Sequence, residues 1–384
     1  MAFVHLHTHT EYSLLDGSNK ITEYVARVKE LGMNAAAITD HGVMYGVIDF
    51  YKECKKQGIR PILGCEVYVA PGSRFDRELS HGDDRYYHLV LLAENNVGYQ
   101  NLIKIVSIGF VDVYYYKPRV DMETLEKYHE GIIALSACLA GVVPRYLQRG
   151  MYEEAKEIAL KHRAIFGENN YFLELQSHGI EAQELVNQQL VRMSKETGIE
   201  LVCTNDIHYT YADDAAPHDV LLCIQTGKKL TDTDRMRYEG GQYFVKSEEQ
   251  MAALFPYAPQ ALANTQKIAD RCNVEIEFGV TKLPHYQVPE GYDSWTYLNK
   301  LCFEGLQERY GDRAEELKPR LTYELETIQK NGICGLFFDR LGFYQLCQNP
   351  SYPGRTGTRQ CSRKSGVLYD RYHQYRSDPL QSFV

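Results

Sequence analysis

The chain has 384 residues, 44% hydrophobic and 24% charged, with a net charge of −9. That is ordinary globular composition, and the length suits two domains, although a single α/β barrel can absorb most of it. No apolar run approaches the ~20 residues of a membrane helix, the opening M-A-F-V-H-L-H-T-H-T lacks the layout of a secretory signal, and the acidic balance excludes a generally basic nucleic-acid coat protein.

Along the chain, short apolar runs alternate with helical patterns. The β-rich runs cover residues 3–7, 35–39, 61–69, 88–93, 131–136, 171–175 and 200–203. Between them, residues 21–31, 47–56, 152–166 and 181–196 place apolar side chains at three- and four-residue spacing. This alternation predicts an α/β fold with a parallel sheet and covering helices. The polar residues favour a barrel over an open sheet, because nearly every run delivers a His, Asp, Glu or Cys, mostly at its C-terminal end. These are His7 and His9 with Asp16 following, then Asp40-His41, Glu66, His88 at the start of its run, Cys138, Glu174 to His178, and Asp206 with His208. A barrel gathers such residues at one mouth.

Each member has an ordinary reading: Asp40-His41-Gly42 as a capped turn, Cys138 as a small buried hydrophobe. The set is harder to dismiss. Mixed His, Asp and Glu with one Cys suits Zn²⁺, Mn²⁺ or Fe²⁺ and does not suit an all-oxygen Ca²⁺ site. The ten cysteines are scattered without a C-x-x-C pair, which fits free or metal-binding thiols in a reducing cytoplasm.

The motifs H-x-H, T-D-H-G, G-x-E, S-x-C and D-x-H, at residues 7–9, 39–42, 64–66, 136–138 and 206–208, resemble the PHP (polymerase and histidinol phosphatase) domain. The finer resemblance, over residues 1 to about 332, is to the PHP domains that open bacterial DNA polymerase III alpha subunits. It is carried by residues 3–17, 37–42, 56–70, 135–141 and 204–209. It implies a distorted (β/α)7 barrel over residues 1–225 whose three-metal cluster is held by His7, His9, Asp16, His41, Glu66, His88, Cys138, Asp206 and His208. Zn²⁺ is the first expectation, with Mn²⁺ or Fe²⁺ as alternatives and Glu66 as the natural bridge. The implied chemistry is phosphoester hydrolysis by metal-activated water, a 3′–5′ exonuclease on single-stranded DNA working beside a polymerase and other replicase subunits. Two other readings stay open, a free-standing phosphatase on a small phosphate ester and a catalytically silent metal-binding scaffold. The stretches 115–119 and 85–87, including Tyr115 and Arg119, interleave bases with aromatics and read either as a guide for a single strand or as plain surface, since tyrosine is frequent throughout.

Residues 226–280 read as a connecting loop and helical segment. Residues 281–332, with helical patterns at 295–311 and 315–330, resemble the entry to the polymerase domain. That domain's Mg²⁺-binding P-D-x-D-x-D segment and its G-R-G-S loop are absent, so polymerisation by this chain alone is not expected. From residue 333 the composition breaks: 52 residues contain no Ala and no Glu, and six Arg with one Lys face three Asp. A permitted coding of residues 333–339, read one base later, gives Y-V-D-Y-F-L-I, and the same shift turns residues 352–362 into I-P-V-G-P-G-R-G-S-A-A. The expectation is a frameshift near Gly332 and an irregular, unpacked tail over 333–384.

Overall fold

The computed structural model describes residues 3–78, 84–112, 114–280 and 286–338. In chain order, helix α1 (Ile21–Glu30) leads to strand β1 (Ala35–Ile38), α2 (Val47–Gln57), β2 (Arg60–Val69), β3 (Tyr87–Ala93), α3 (Asn96–Val111), β4 (Tyr114–Tyr115), β5 (Lys117–Val120), α4 (Met122–Tyr128) and β6 (Ile132–Leu135). There follow α5 (Val142–Gln148), α6 (Tyr152–Phe166), β7 (Tyr171–Leu175), α7 (Glu181–Thr197), β8 (Leu201–Cys203), α8 (Ala215–Thr226), α9 (Glu248–Leu254) and α10 (Pro259–Arg271). Helices α11 (Ser294–Tyr310) and α12 (Ala314–Lys330) complete the described elements. The chain divides into two compact units, one ending at Ile276 and one beginning at Glu277.

In the first unit, residues 3–9 lie between β8 and β1. His5 and Thr8 accept from the amides of Ala37 and Thr39 on one side, while His7 and His9 exchange backbone hydrogen bonds with Ile207 on the other. The path then runs β1-β2-β3-β6-β7-β8 and returns to the start, so a distorted barrel closes. The sheet is mixed rather than parallel: β3 runs antiparallel to both β2 and β6. This reversal explains why His88 opens its strand when the other strands carry their polar residues near the far end. The β4–β5 hairpin, which the sequence pattern did not suggest, pairs with the end of β2.

Strand alternation divides the barrel interior into layers. Inward positions on β2 run Ile62, Gly64, Glu66, and on β7 run Phe172, Glu174. On the reversed β3 they run His88, Val90, Leu92. The lower layers join Val4, Leu6, Ala35, Ala37, Ile133 and Val202 in an apolar cluster, closed by Ile268 and Ala269 of α10 and by Cys272 after it. The opposite strand faces pack against the surrounding helices in a second cluster. Val4, Leu6, His7 and His9 all join the interior, so the period-two alternation breaks between residues 6 and 7 and the segment is not a regular strand.

The stretch 226–276 folds into the barrel unit. Thr265 accepts from the amide of Val4 and Asn264 donates to the carbonyl of Leu201. The expected helical segment within 226–280 forms as two helices, α9 and α10, with Pro259 beginning the second. In the second unit α11 and α12 bury Leu298, Leu306, Leu321, Leu325 and Ile328. Cys334 and Phe338 are buried in the same cluster, so the tail expected to be unpacked from residue 333 is packed through residue 338. Its remainder, 339–384, and the expected start of a domain at residue 281 lie outside the described residues.

Candidate metal centre

The polar layer above the apolar plug holds all nine histidine, carboxylate and thiol positions. His7 and His9 come from the closing segment, His41 follows β1, and Glu66 and His88 face inward from β2 and β3. Cys138 follows β6, and Asp206 and His208 follow β8. Glu66 lies at the centre: its carboxylate is 2.6 Å from His41 Nδ1, 2.9 Å from His88 Nδ1, 3.4 Å from His7 Nε2 and 3.6 Å from His9 Nε2. Asp206 Oδ1 stands 3.1 Å from His9 Nε2 and 3.2 Å from His7 Nε2. Asp16 lies 2.9 Å from His41 Nε2, and the Cys138 thiol 3.8 Å from His88 Nδ1.

Local backbone geometry brings these groups together. Asp40 is an anchor: its buried carboxylate accepts from the Thr10 amide and the Thr10 and Ser13 hydroxyls, folding residues 10–17 back over the mouth. Gly17 is required there, because a Cβ would sit 2.2 Å from the Thr10 carbonyl oxygen. That fold carries Asp16 to His41. Ala137 and Asp206 adopt left-handed φ values of 62° and 45°, uncommon for residues with a side chain. Both stand where strands turn out of the barrel and re-aim a side chain into it.

The donor set fits cations. His7 Nε2, His9 Nε2, both ring nitrogens of His41, Glu66 Oε2 and Asp206 Oδ1 are buried with no hydrogen-bond partner. Such orphaned atoms are costly unless something coordinates them. Three ligand groups result: His7–His9–Glu66, His41–Glu66–His88 and His9–His41–His208. Glu66 belongs to two of them, as a bridging carboxylate would.

The electrostatics agree. Burial opposes ionisation of Glu66, but His88, His41 and His7 hold its carboxyl well below the ordinary range. Burial likewise works against charge on His41, yet Glu66 and Asp16 push its imidazole up to about 10. His7 is raised well above its ordinary value against burial by Asp206, Glu174 and Glu66. His9 is lowered to about 3, by burial and then by His41 and His208. Carboxylates that draw protons onto neighbouring histidines are a site short of positive charge. Burial, then Glu66 and Asp206, pushes the Cys138 thiol well up, so it deprotonates only with a cation beside it.

Several residues support the ligands; of these the sequence pattern marks Glu174 and Gln176 but not Tyr238 or Lys246. Glu174 accepts from His7 Nδ1 at 2.6 Å, which turns His7 Nε2 toward the cluster. The Thr204 hydroxyl and the Gln176 amide fix that carboxylate in turn. Tyr238 donates to Asp16 Oδ1 at 3.1 Å and lies 3.2 Å from His208 Nε2. Its loop lines a cavity of about 400 Å³ with Tyr209, His218, Asp219 and Arg237. Lys246 is buried, and burial lowers its ammonium to about 7. It donates to Asn205, next to Asp206. Only the spacing of Glu174 and Gln176 on an inward strand face carried a sequence signal.

The two residues expected to touch substrate are placed differently. Arg119 is 1% exposed, and its guanidinium donates to the carbonyls of Arg74, Asp76 and Arg85, so its donors are spent inside the protein. The Tyr115 hydroxyl donates to the Arg77 carbonyl.

Residues 5–178, which build most of the barrel and its mouth, match the PHP domain family. The chain carries a PHP domain and is homologous to bacterial DNA polymerase III alpha subunits. It is 44% identical over 359 residues to DNA polymerase III subunit alpha of Treponema pallidum, covering 92% of this chain and 31% of that protein. The corresponding subunit of Borreliella burgdorferi is 42% identical over 357 residues, again 92% of this chain and 31% of the relative. The chain therefore spans about a third of the length of the curated relatives it matches. Among solved structures, an amidohydrolase from Chromobacterium violaceum with bound sulfate shares 15% identity, with a TM-score of 0.38, over 54% of this chain and 88% of that one. No helix among the described residues is long and apolar enough to cross a membrane.

Proposed function

We propose that the barrel mouth is a metal-dependent phosphoester hydrolase acting on DNA ends, within a cytoplasmic DNA-directed DNA polymerase of the polymerase III alpha type. The single observation that carries the hydrolytic reading is the convergence of buried His, Asp and Glu ligand atoms on one volume. The homology to polymerase III alpha subunits supports DNA and other replicase subunits as partners.

Bound transition-metal ions, Zn²⁺ before Mn²⁺ or Fe²⁺, supply Lewis acidity toward a phosphoryl group and lower the pKa of water. His7, His9 and Asp206 would hold one ion with Glu66, His41 and His88 would share Glu66 for another, and Asp16 with His208 would hold a third. Glu174 keeps His7 in the orientation that presents Nε2. Tyr238 offers a hydroxyl proton at the Asp16–His208 side, where a departing or non-bridging phosphate oxygen would need a donor. The predicted reaction is stepwise removal of nucleotides from a single-stranded 3′ end.

The test combines metal analysis of the purified chain with cleavage of an end-labelled single-stranded oligonucleotide. His41→Ala and Glu66→Ala should lose metal and cleavage together. Full metal occupancy without cleavage of any phosphodiester would refute the hydrolytic reading. For the region after Gly332, the change in composition supports a one-base shift in the gene, and resequencing that locus tests it.

A further inference from the structure

The stretches 85–87 and 115–119 contain a residue that turns inward, Arg119, and residues that do not. Arg85, Tyr86, Tyr116 and Lys117 line one edge of the mouth. The Tyr86 ring lies parallel to the imidazole of His88, with centroids 6.1 Å apart and planes 9° from each other. His88 in turn touches Glu66. Tyr68 packs edge-on against both Tyr86 and His88, and the Lys117 ammonium lies 5.3 Å from the Tyr68 centroid. Further out, the Arg85 guanidinium covers the Tyr116 ring at 4.0 Å. Aromatic rings and cations therefore adjoin a metal-ligand histidine on this side of the barrel.

Two features show that this edge is built rather than incidental. Tyr116 is the single turn residue between β4 and β5 and sits at a φ of 63°. Gly or Asn would occupy that left-handed position at lower cost, yet a tyrosine stands there with 56% of the residue exposed. Its exposure means that it contributes little to the core. The buried Arg119 then fixes the register, because its guanidinium holds the carbonyl of Arg85 at 3.1 Å. Asp84 offsets Arg145 on α5 and Arg149 just after it, whereas Arg85 and Lys117 face aromatic rings.

We propose that Arg85, Tyr86, Tyr116 and Lys117 form a stacking track for a single-stranded nucleic acid, leading its end to the His41–Glu66–His88 side of the mouth. Every base has a π-face, so aromatic rungs interleaved with cations bind a strand without reading its sequence. A small phosphate ester would make no use of the outer rung. The location of the scissile ester rests on the hydrolytic reading above; the track itself is a binding surface and is tested separately.

The experiment uses the full chain with Tyr116→Asn, which keeps the left-handed turn and removes the ring, Arg85→Gln, and Tyr116→Phe as the conservative variant. A fluorescein-labelled oligothymidylate is titrated in EDTA and followed by anisotropy. Loss of one stacking rung should raise Kd by roughly 5- to 100-fold. Tyr116→Asn and Arg85→Gln should each show this weakening, and Tyr116→Phe should bind as the parent does. Metal-loaded protein then gives the ratio of oligonucleotide to bis(p-nitrophenyl) phosphate hydrolysis, which should fall in the same two variants. Parent-like binding by the Tyr116→Asn/Arg85→Gln double variant overturns the track, as does a parent chain that binds no oligonucleotide. Weakened oligonucleotide binding in a chain that hydrolyses neither substrate supports the track and defeats the hydrolytic reading instead.

Discussion

Removing metal from the barrel should lower its melting temperature by an amount the mouth allows one to bound. Six side-chain atoms there, His7 Nε2, His9 Nε2, His41 Nδ1 and Nε2, Glu66 Oε2 and Asp206 Oδ1, are buried with the cluster's own polar atoms as their close neighbours, an arrangement that cations stabilise further. A cation present at a thousand times its Kd contributes about 4 kcal/mol to the folded state. For a unit of this size each kcal/mol moves Tm by about 2–4 °C, which places the EDTA shift near ~8–16 °C. Calorimetry or far-UV circular dichroism is the suitable assay, since the lone tryptophan, Trp295, belongs to the second unit and its fluorescence reports there. Zn²⁺ and Mn²⁺ added back separately should restore the transition to different extents. The ligand assignment is wrong if the purified protein holds no transition metal and EDTA leaves the melting curve where it was.

Three further outcomes are expected. Glu174→Gln should weaken metal binding by about 10–100-fold through misorientation of His7, read by competition with a chromogenic chelator; unchanged affinity would remove Glu174 from the site. In EDTA-treated protein, Glu66 and Asp16 raise His41 against burial from the ordinary 6.5 to about 10. The stability this supplies is complete below the unfolded value and is lost as pH rises through the folded one. Tm of the metal-free chain should therefore decline between pH 6.5 and 10, and His41→Asn should flatten that decline. Arg119→Ala should destabilise the barrel unit by about 3 kcal/mol, because three backbone carbonyls lose a buried donor; a variant that melts like the parent would contradict the anchoring role.

Much of this protein is legible in its residues alone. The period-two and period-3.6 patterns are local, so six of the barrel strands and the helices at 152–166 and 181–196 follow from spacing and side-chain type. Most of the metal-competent residues are legible at the ends of their own β-runs, whereas the full set of nine, with Asp16 in a loop and His88 at the start of its strand, follows only from the resemblance to PHP domains. Tertiary structure decided what depends on partners distant in the chain. The direction of β3 is set by which strand it pairs with, and no local pattern records that, although His88 at its start is the trace it leaves. Arg119 and Asp40 read in sequence as a surface cation and a turn residue. Their actual roles follow from burial beside Arg74, Asp76 and Arg85 in one case and Thr10 and Ser13 in the other. Glu174 acquires its role only when barrel closure brings residue 7 beside strand β7, because a hydrogen bond across 167 residues has no signature in either neighbourhood.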